Sequence, residues 1–138
     1  SSLVIGLKTL QMQRAVLLTG ILSMFEAELQ KVLASDFPFR ECRLILQKIG
    51  ENELANQFES FIKAINVLKH GKGKSYQSLL KNDYLCSFNV KKEDQNFFFE
   101  GDVGEIDILI DVNDSVILSC KDMICSISSL IESHISET

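Results

Sequence analysis

Apolar residues recur at helical intervals along most of this chain. Between residues 3 and 33 they keep to spacings of three, four and seven, the pattern of an amphipathic helix. Between Ala15 and Phe25 this helix is apolar on nearly every side. We therefore expect that stretch to lie inside the core, with an interface to a second subunit as the alternative. The residues expected to face inward are Leu3, Leu7, Leu10, Leu17, Ile21, Met24 and Leu29.

The next two segments also predict helices. Pro38 suits the first turn of a helix and Gly50 suits the position after the last turn, which places a helix at 38–49. Its expected inward residues are Leu44, Ile45 and Ile49. A third helix is predicted at 51–70, with inward residues Leu54, Phe58, Phe61, Ile62, Ile65 and Leu68.

The rest of the chain predicts a short helix, an insertion and a last helix. Ser75 is expected to cap the short helix, at 75–81. Apolar runs around a glycine-containing turn at 100–104 predict a small β-hairpin-like insertion. Asn113 or Asp114 then caps the last helix, which is predicted to end at about His134. Its expected inward residues are Val116, Cys120, Met123, Ile124, Ile127, Leu130 and Ile131.

Composition agrees with one helical domain. With 138 residues, 46% of them apolar, the chain can bury a core without metal or disulfide support. A single proline and seven glycines leave room for long helices. We therefore predict an all-α single domain over 1–138. Its architecture would be an antiparallel (up-and-down) four-helix bundle, with the insertion at about 84–112 before the last helix.

The net charge and the cysteine content narrow the range of possible functions. The formal net charge of −5 excludes a general nucleic-acid coat protein, but it permits a local basic site. The four cysteines form no CxxC pair, so we expect them reduced, as in a cytoplasmic protein, with no metal and no cofactor. The apolar run at 15–25 is too short to cross a membrane. The acidic residues at 100–111 lack the order of a calcium loop and predict a solvated loop.

The segment with the most chemistry is 64–80, with the sequence AINVLKHGKGKSYQSLL. A helical pattern ends there in a basic turn that follows His70. Glycines in such a turn let the backbone approach an anion closely, and the start of the next helix offers free N–H groups. We therefore predict an RNA- or anion-binding loop made by Lys69, Gly71, Lys72, Gly73, Lys74, Ser75 and Tyr76. Tyr76 can stack on a base or pack against the turn.

Asn66-Val-Leu-Lys-His70, at the end of a long helix, resembles the active motif of the HEPN superfamily. Those small prokaryotic helical domains are often RNases of toxin–antitoxin and other defence systems, and they commonly act as dimers. Their motif is an Arg, four to six residues and a His, frequently with a polar residue after the Arg. This chain has Ile65 or Ala64 at the shorter Arg spacings and Lys63 at the longest.

The resemblance implies roles for three residues of this chain in metal-independent RNA cleavage. His70 would act as the general base, because histidine is the side chain best suited to take and return a proton near neutral pH. Lys63, with Lys69 as the alternative, would stabilise the phosphate charge, as a point charge rather than a forked donor, and Asn66 would position the substrate. Lys63 and His70 are seven residues apart, so they share a helix face.

A simpler alternative remains for the same segment. A His in the last turn of a helix interacts favourably with the helix dipole, and Gly71 would take the left-handed position that ends the helix. The lysines would then belong to a solvated turn. In that case the chain is a non-catalytic helical dimerisation or protein-interaction module. Both hypotheses include a homodimer, and the first adds RNA and a cognate antitoxin or other protein as partners, without a membrane.

Overall fold

The computed structural model describes residues 2–71, 73–81, 89–90 and 110–137. These residues are mostly helical, which confirms the predicted all-α class. The observed helices lie within one or two residues of the predicted bounds. They are α1 (Ser2–Leu33), α2 (Pro38–Lys48), α3 (Asn52–His70), α4 (Lys74–Lys81) and α5 (Asp114–Ser136).

Two very short strands pair just before α5. Strand β1 (Asn89–Val90) runs antiparallel to β2 (Ile110–Asp111), with Asn89 opposite Asp111 and Val90 opposite Ile110. Both strands lie within the stretch predicted as a hairpin-like insertion. The predicted turn at 100–104 and most of the acidic run lie outside the described residues.

The core lies where α1, α2, α3 and α5 meet. Phe58 of α3 is fully buried there and makes edge-to-face contacts with two other rings. Its ring centroid is 5.9 Å from that of Phe25 and 5.1 Å from that of Phe39. The inward faces predicted for α3 and α5 are confirmed in most positions, since Phe58, Phe61, Ile65, Val116, Cys120, Met123, Ile127 and Ile131 are buried. The other predicted inward residues are half-buried against the core; they are Leu54, Ile62, Leu68, Ile124 and Leu130.

The inward face predicted for α1 is wrong over most of its length. The residues that α1 buries are Leu18, Leu22, Phe25 and Leu29, together with Gln11. Of the predicted set, Leu29 is buried and Ile21 is half-buried, whereas Leu3, Leu7, Leu10, Leu17 and Met24 are exposed. Because this helix is apolar on two sides, its sequence contains two stripes of helical spacing. Contacts with α2, α3 and α5 decide which stripe is buried.

The prediction for α2 is wrong for a similar reason. This helix buries Pro38, Cys42 and Leu46, while Leu44 and Ile49 are exposed and Ile45 is half-buried. Cysteine was not counted as a core residue of α2 in the sequence pattern. With Cys42 included, the spacing of four residues from Pro38 to Leu46 gives the observed face.

Helix caps were predicted at two of the element boundaries, and one of them is present. Asn113, one of the two residues predicted to cap α5, does so, because its Oδ1 accepts a hydrogen bond of 3.0 Å from the backbone N–H of Val116. Ser75 does not cap α4, because that helix already begins at Lys74. The carbonyl of Gly73 accepts from the N–H of Gln77 at 3.0 Å instead.

Within the described part of the chain, no helix combines the length and the hydropathy needed to cross a membrane.

Candidate functional site

The turn between α3 and α4 begins with an unusual backbone conformation at Gly71. Its φ of 74° and ψ of −145° form a combination that side chains with a Cβ strongly disfavour. The N–H of Gly71 donates to the carbonyl of Val67 at 2.7 Å and closes the last turn of α3. The positive φ agrees with the predicted helix-ending role, but the ψ angle places Gly71 outside the left-handed helical region that was expected.

Helix α4 follows α3 after three intervening residues and packs against α3. Gly73 immediately precedes α4, and α4 makes extensive contacts with α3. The turn therefore holds the end of α3 and the beginning of α4 side by side. Lys72 of the predicted loop lies outside the described residues, as does the side chain of Tyr76, while Ser75 is half-buried in the first turn of α4.

Three basic side chains of this turn are exposed. They are Lys69 and His70 in the last turn of α3 and Lys74 in the first turn of α4. Among the residues that the structure describes, none of the three has a hydrogen-bond or ion-pair partner on its side chain. Lys74 also adds a positive charge to the positive end of the α4 dipole, whose first turn contains no acidic residue. An anion bound at this point would relieve that unfavourable charge arrangement.

Lys63, which is predicted to stabilise the phosphate, contacts two other side chains of the protein. Its Nζ donates to the Oγ of Ser78 at 2.7 Å and lies 3.3 Å from Oε1 of Glu59. The same oxygen of Glu59 is 3.5 Å from Nη1 of Arg43 on α2. These contacts join α2, α3 and α4, so the charge of Lys63 is shared with a carboxylate rather than left free.

Helical geometry relates the three residues predicted to act in catalysis. Lys63, Asn66 and His70 follow one another at intervals of three and four on α3, which puts them on one face. Asn66 is half-buried one turn before the exposed His70. Lys63 and His70 are about 10 Å apart along the helix axis, from a rise of 1.5 Å per residue. The structure therefore places Asn66 next to His70 and directs Lys63 toward Glu59 and Ser78.

The contacts of Lys63 with Glu59 and Ser78 were not predicted from the sequence. Glu59 and Lys63 are four residues apart on a helix, and that spacing is itself a signal of an ion pair. The partner on α4, Ser78, is 15 positions away and had no comparable signal.

The described residues contain no group of three or more His, Cys, Asp or Glu side chains that could hold a metal ion. Asp111, the described member of the acidic run, accepts a hydrogen bond of 2.9 Å from Nε2 of Gln11.

No known family model matches this chain, and neither curated proteins nor solved structures gave a significant match.

Proposed function

We propose that this protein binds RNA through the basic turn between α3 and α4, as a HEPN-like domain of a prokaryotic defence or toxin–antitoxin system. The observation that carries the proposal is the group of three exposed basic side chains, Lys69, His70 and Lys74, on either side of a glycine turn. Phosphate groups are the ligands that such exposed cations and a helix start attract.

The charge of the whole chain makes this turn distinctive. The protein carries a net charge of −5, so nonspecific attraction of nucleic acid to its surface as a whole is not expected. A cluster of exposed basic side chains on such a protein gives a localised attraction for a polyanion. Binding through it should be weak and salt-dependent, because it involves few phosphates.

The catalytic form of the proposal assigns roles within the same segment. His70 takes the proton of the 2′-hydroxyl, Asn66 positions the substrate, and Lys69 or Lys63 stabilises the charge that develops on the phosphate. Lys69 suits the last role better, since it is exposed beside His70, whereas Lys63 contacts Glu59 and Ser78. The four main helices would form the antiparallel bundle predicted from the sequence, in a cytoplasmic protein.

Charge reversal at the turn tests the binding. Lys74→Glu should weaken the binding of a fluorescent single-stranded RNA at least fivefold and reduce the slope of log affinity against log salt by about 0.7 for one lost phosphate contact. The matched control is Lys121→Glu, which changes the net charge equally at an exposed position on α5. Equal affinities for the two variants would contradict the proposal.

Cleavage is tested separately on the same RNA. If the catalytic form holds, the wild-type protein cleaves single-stranded RNA in the presence of a chelator, and His70→Ala abolishes cleavage while the circular dichroism spectrum is unchanged. Cleavage that persists in His70→Ala would exclude His70 as the base. RNA that is bound but never cut would restrict the function to binding.

The exposed apolar face of α1 favours a second candidate function. Leu3 and Met24 are 75% and 74% exposed, although both were expected in the core. Surfaces of this kind are typical of protein interfaces. In this alternative the chain is a non-catalytic module that acts as a homodimer, or that binds an antitoxin or another protein, and the turn at His70 only ends α3.

A further inference from the structure

The first part of α1 contributes no described side chain to the buried core. Every side chain that the structure describes between Ser2 and Leu10 is exposed, although Leu3, Ile5, Leu7 and Leu10 are large and apolar. We call residues 2–10 the arm. An apolar helix in water without a packing partner gains nothing from its apolar side chains, so the arm needs a surface to cover it.

The second part of α1 forms one side of an apolar groove. The groove has a volume of about 490 Å³ and lies between Ile21, Met24 and Val32 of α1 and Ile124 and Ile131 of α5. In the described part of the chain, no residue fills it. Each molecule therefore presents an apolar arm at one end of α1 and an apolar groove at the other end.

We propose that two copies of this chain pair through antiparallel α1 helices, with a two-fold axis near Leu17, so that the arm of each copy fills the groove of the other. This deepens the homodimer of the proposed function by naming its surface, and it does not depend on RNA binding. Pairing of this type is isologous and closed, as expected for a soluble dimer.

The register of this pairing follows from the sequence of α1. Leu3, Leu10, Leu17 and Met24 recur every seven residues and are all exposed, which is the spacing of a helix–helix seam. An axis at Leu17 sets Leu17 opposite its own copy and Leu10 opposite Met24. The arm, residues 2–10, then lies opposite residues 24–32, which form the α1 side of the groove.

A parallel pairing would not satisfy both surfaces. It would place arm against arm and groove against groove, and both grooves would stay open. The antiparallel arrangement also separates the two protein bodies toward opposite ends of the helix pair. The lengths of arm and groove, about 13 Å and about 16 Å from a rise of 1.5 Å per residue, are similar.

The charges of the arm and the groove, and the surface area that pairing would bury, agree with a second copy of the chain as the occupant of the groove. The groove includes Glu28 and Glu132, while the arm contains one lysine, Lys8, and no acidic residue. In the proposed register position 8 lies opposite position 26, two residues before Glu28. One face of α1, about 48 Å long and about 10 Å wide, offers on the order of 500 Å². The α5 side of the groove brings this toward the roughly 800 Å² per partner that a stable interface buries.

Cysteine cross-linking tests the register directly. In a background with Cys86→Ser and Cys125→Ser, Leu17→Cys should form a covalent dimer under a mild oxidant at least tenfold faster than Leu10→Cys or Met24→Cys alone. A mixture of the Leu10→Cys and Met24→Cys proteins should cross-link to each other. Equal rates for the three single variants, or no cross-linking of Leu17→Cys, would overturn the proposal.

Light scattering tests the dimer itself. The wild-type protein should have the mass of a dimer, and Leu10→Glu should shift it to the monomer, because a negative charge then enters a groove that already contains Glu28 and Glu132. Leu118→Glu is the matched control, since Leu118 is exposed on α5 outside the groove and its variant should remain dimeric. A monomeric wild-type protein overturns the inference. Lys74→Glu should stay dimeric whether or not it binds RNA, which separates this test from that of the proposed function.

Discussion

Nζ of Lys63 and Oγ of Ser78 are joined by a 2.7 Å hydrogen bond that links α3 to α4 across 15 positions of sequence. Glu59, one turn before Lys63 on α3, shares the same ammonium group at 3.3 Å. The short helix α4 is therefore held to α3 by a charge-assisted contact. This contact fixes the geometry of the basic turn that lies between the two helices.

Removing the hydroxyl of Ser78 should loosen α4. We expect Ser78→Ala to lower the free energy of unfolding by about 1 kcal/mol relative to Ser75→Ala, because a partly exposed hydrogen bond to a charged group is lost. Both variants place alanine in α4, so the gain in helix propensity cancels in the comparison. Urea unfolding followed by circular dichroism measures the difference. Equal stabilities would show that the Lys63–Ser78 contact contributes nothing.

Gly71 should resist substitution because of its backbone. Nothing lies within 4 Å of a Cβ built on this residue, so any cost of Gly71→Ala comes from its φ of 74° and ψ of −145°. We expect a loss of about 1–3 kcal/mol in stability. Gly73→Ala is the control, since a Cβ there also meets nothing within 4 Å and its φ lies outside the left-handed range. If Gly73→Ala costs as much in thermal unfolding, the strain argument is wrong.

Phe58 should be among the most sensitive positions of the core. It is fully buried against the rings of Phe25 and Phe39, so Phe58→Ala leaves a cavity and removes two edge-to-face contacts. We expect a loss of about 3–5 kcal/mol, a large share of the roughly 5–15 kcal/mol by which domains of this kind are stable. Phe37→Ala removes a ring that is 67% exposed and should change stability by less than about 0.5 kcal/mol. Thermal denaturation of the two variants gives the comparison.

Two buried cysteines should make the protein less stable in alkali. Burial raises the pKa of Cys42 from 9.0 to about 12, against a smaller opposing effect of Arg43, and burial raises that of Cys120 to about 11. Below pH 9 each thiol is neutral in the folded and the unfolded chain. Above pH 9 the unfolded chain loses these protons first, so the stability falls as the pH rises toward 11–12.

This effect is measured as the slope of unfolding free energy against pH between 8 and 11. Each thiol contributes at most about 1.4 kcal/mol per pH unit. Cys120→Val should therefore give a shallower decline than the wild-type protein, while Cys125→Ser, at an exposed position, keeps the wild-type slope. If Cys120→Val keeps that slope as well, burial of this thiol has no effect on alkaline stability.

The helix bounds, a helix cap and the buried face of α3 could be predicted from local sequence. The spacing of Phe58, Phe61 and Ile65 marks one face of α3, and that face is the one that is buried. The sequence predicts Asn113 or Asp114 as the cap of α5, and the side chain of Asn113 forms the cap. Helix bounds, caps and single-faced helices depend on residues close in sequence, and this is why a one-dimensional pattern can reveal them.

Tertiary structure alone decided which side of α1 is covered. Leu17 and Leu18 are adjacent and equally apolar, yet Leu18 is fully buried and Leu17 is exposed. Which of them is buried depends on the positions of α2, α3 and α5 around α1, and no local preference encodes this. The environment of Lys63 likewise required the packing of α4 on α3, because Ser78 approaches it from a separate helix. The basic turn itself, from Lys69 to Lys74, could be read from the sequence, since its residues are contiguous; their exposure became known only from the fold.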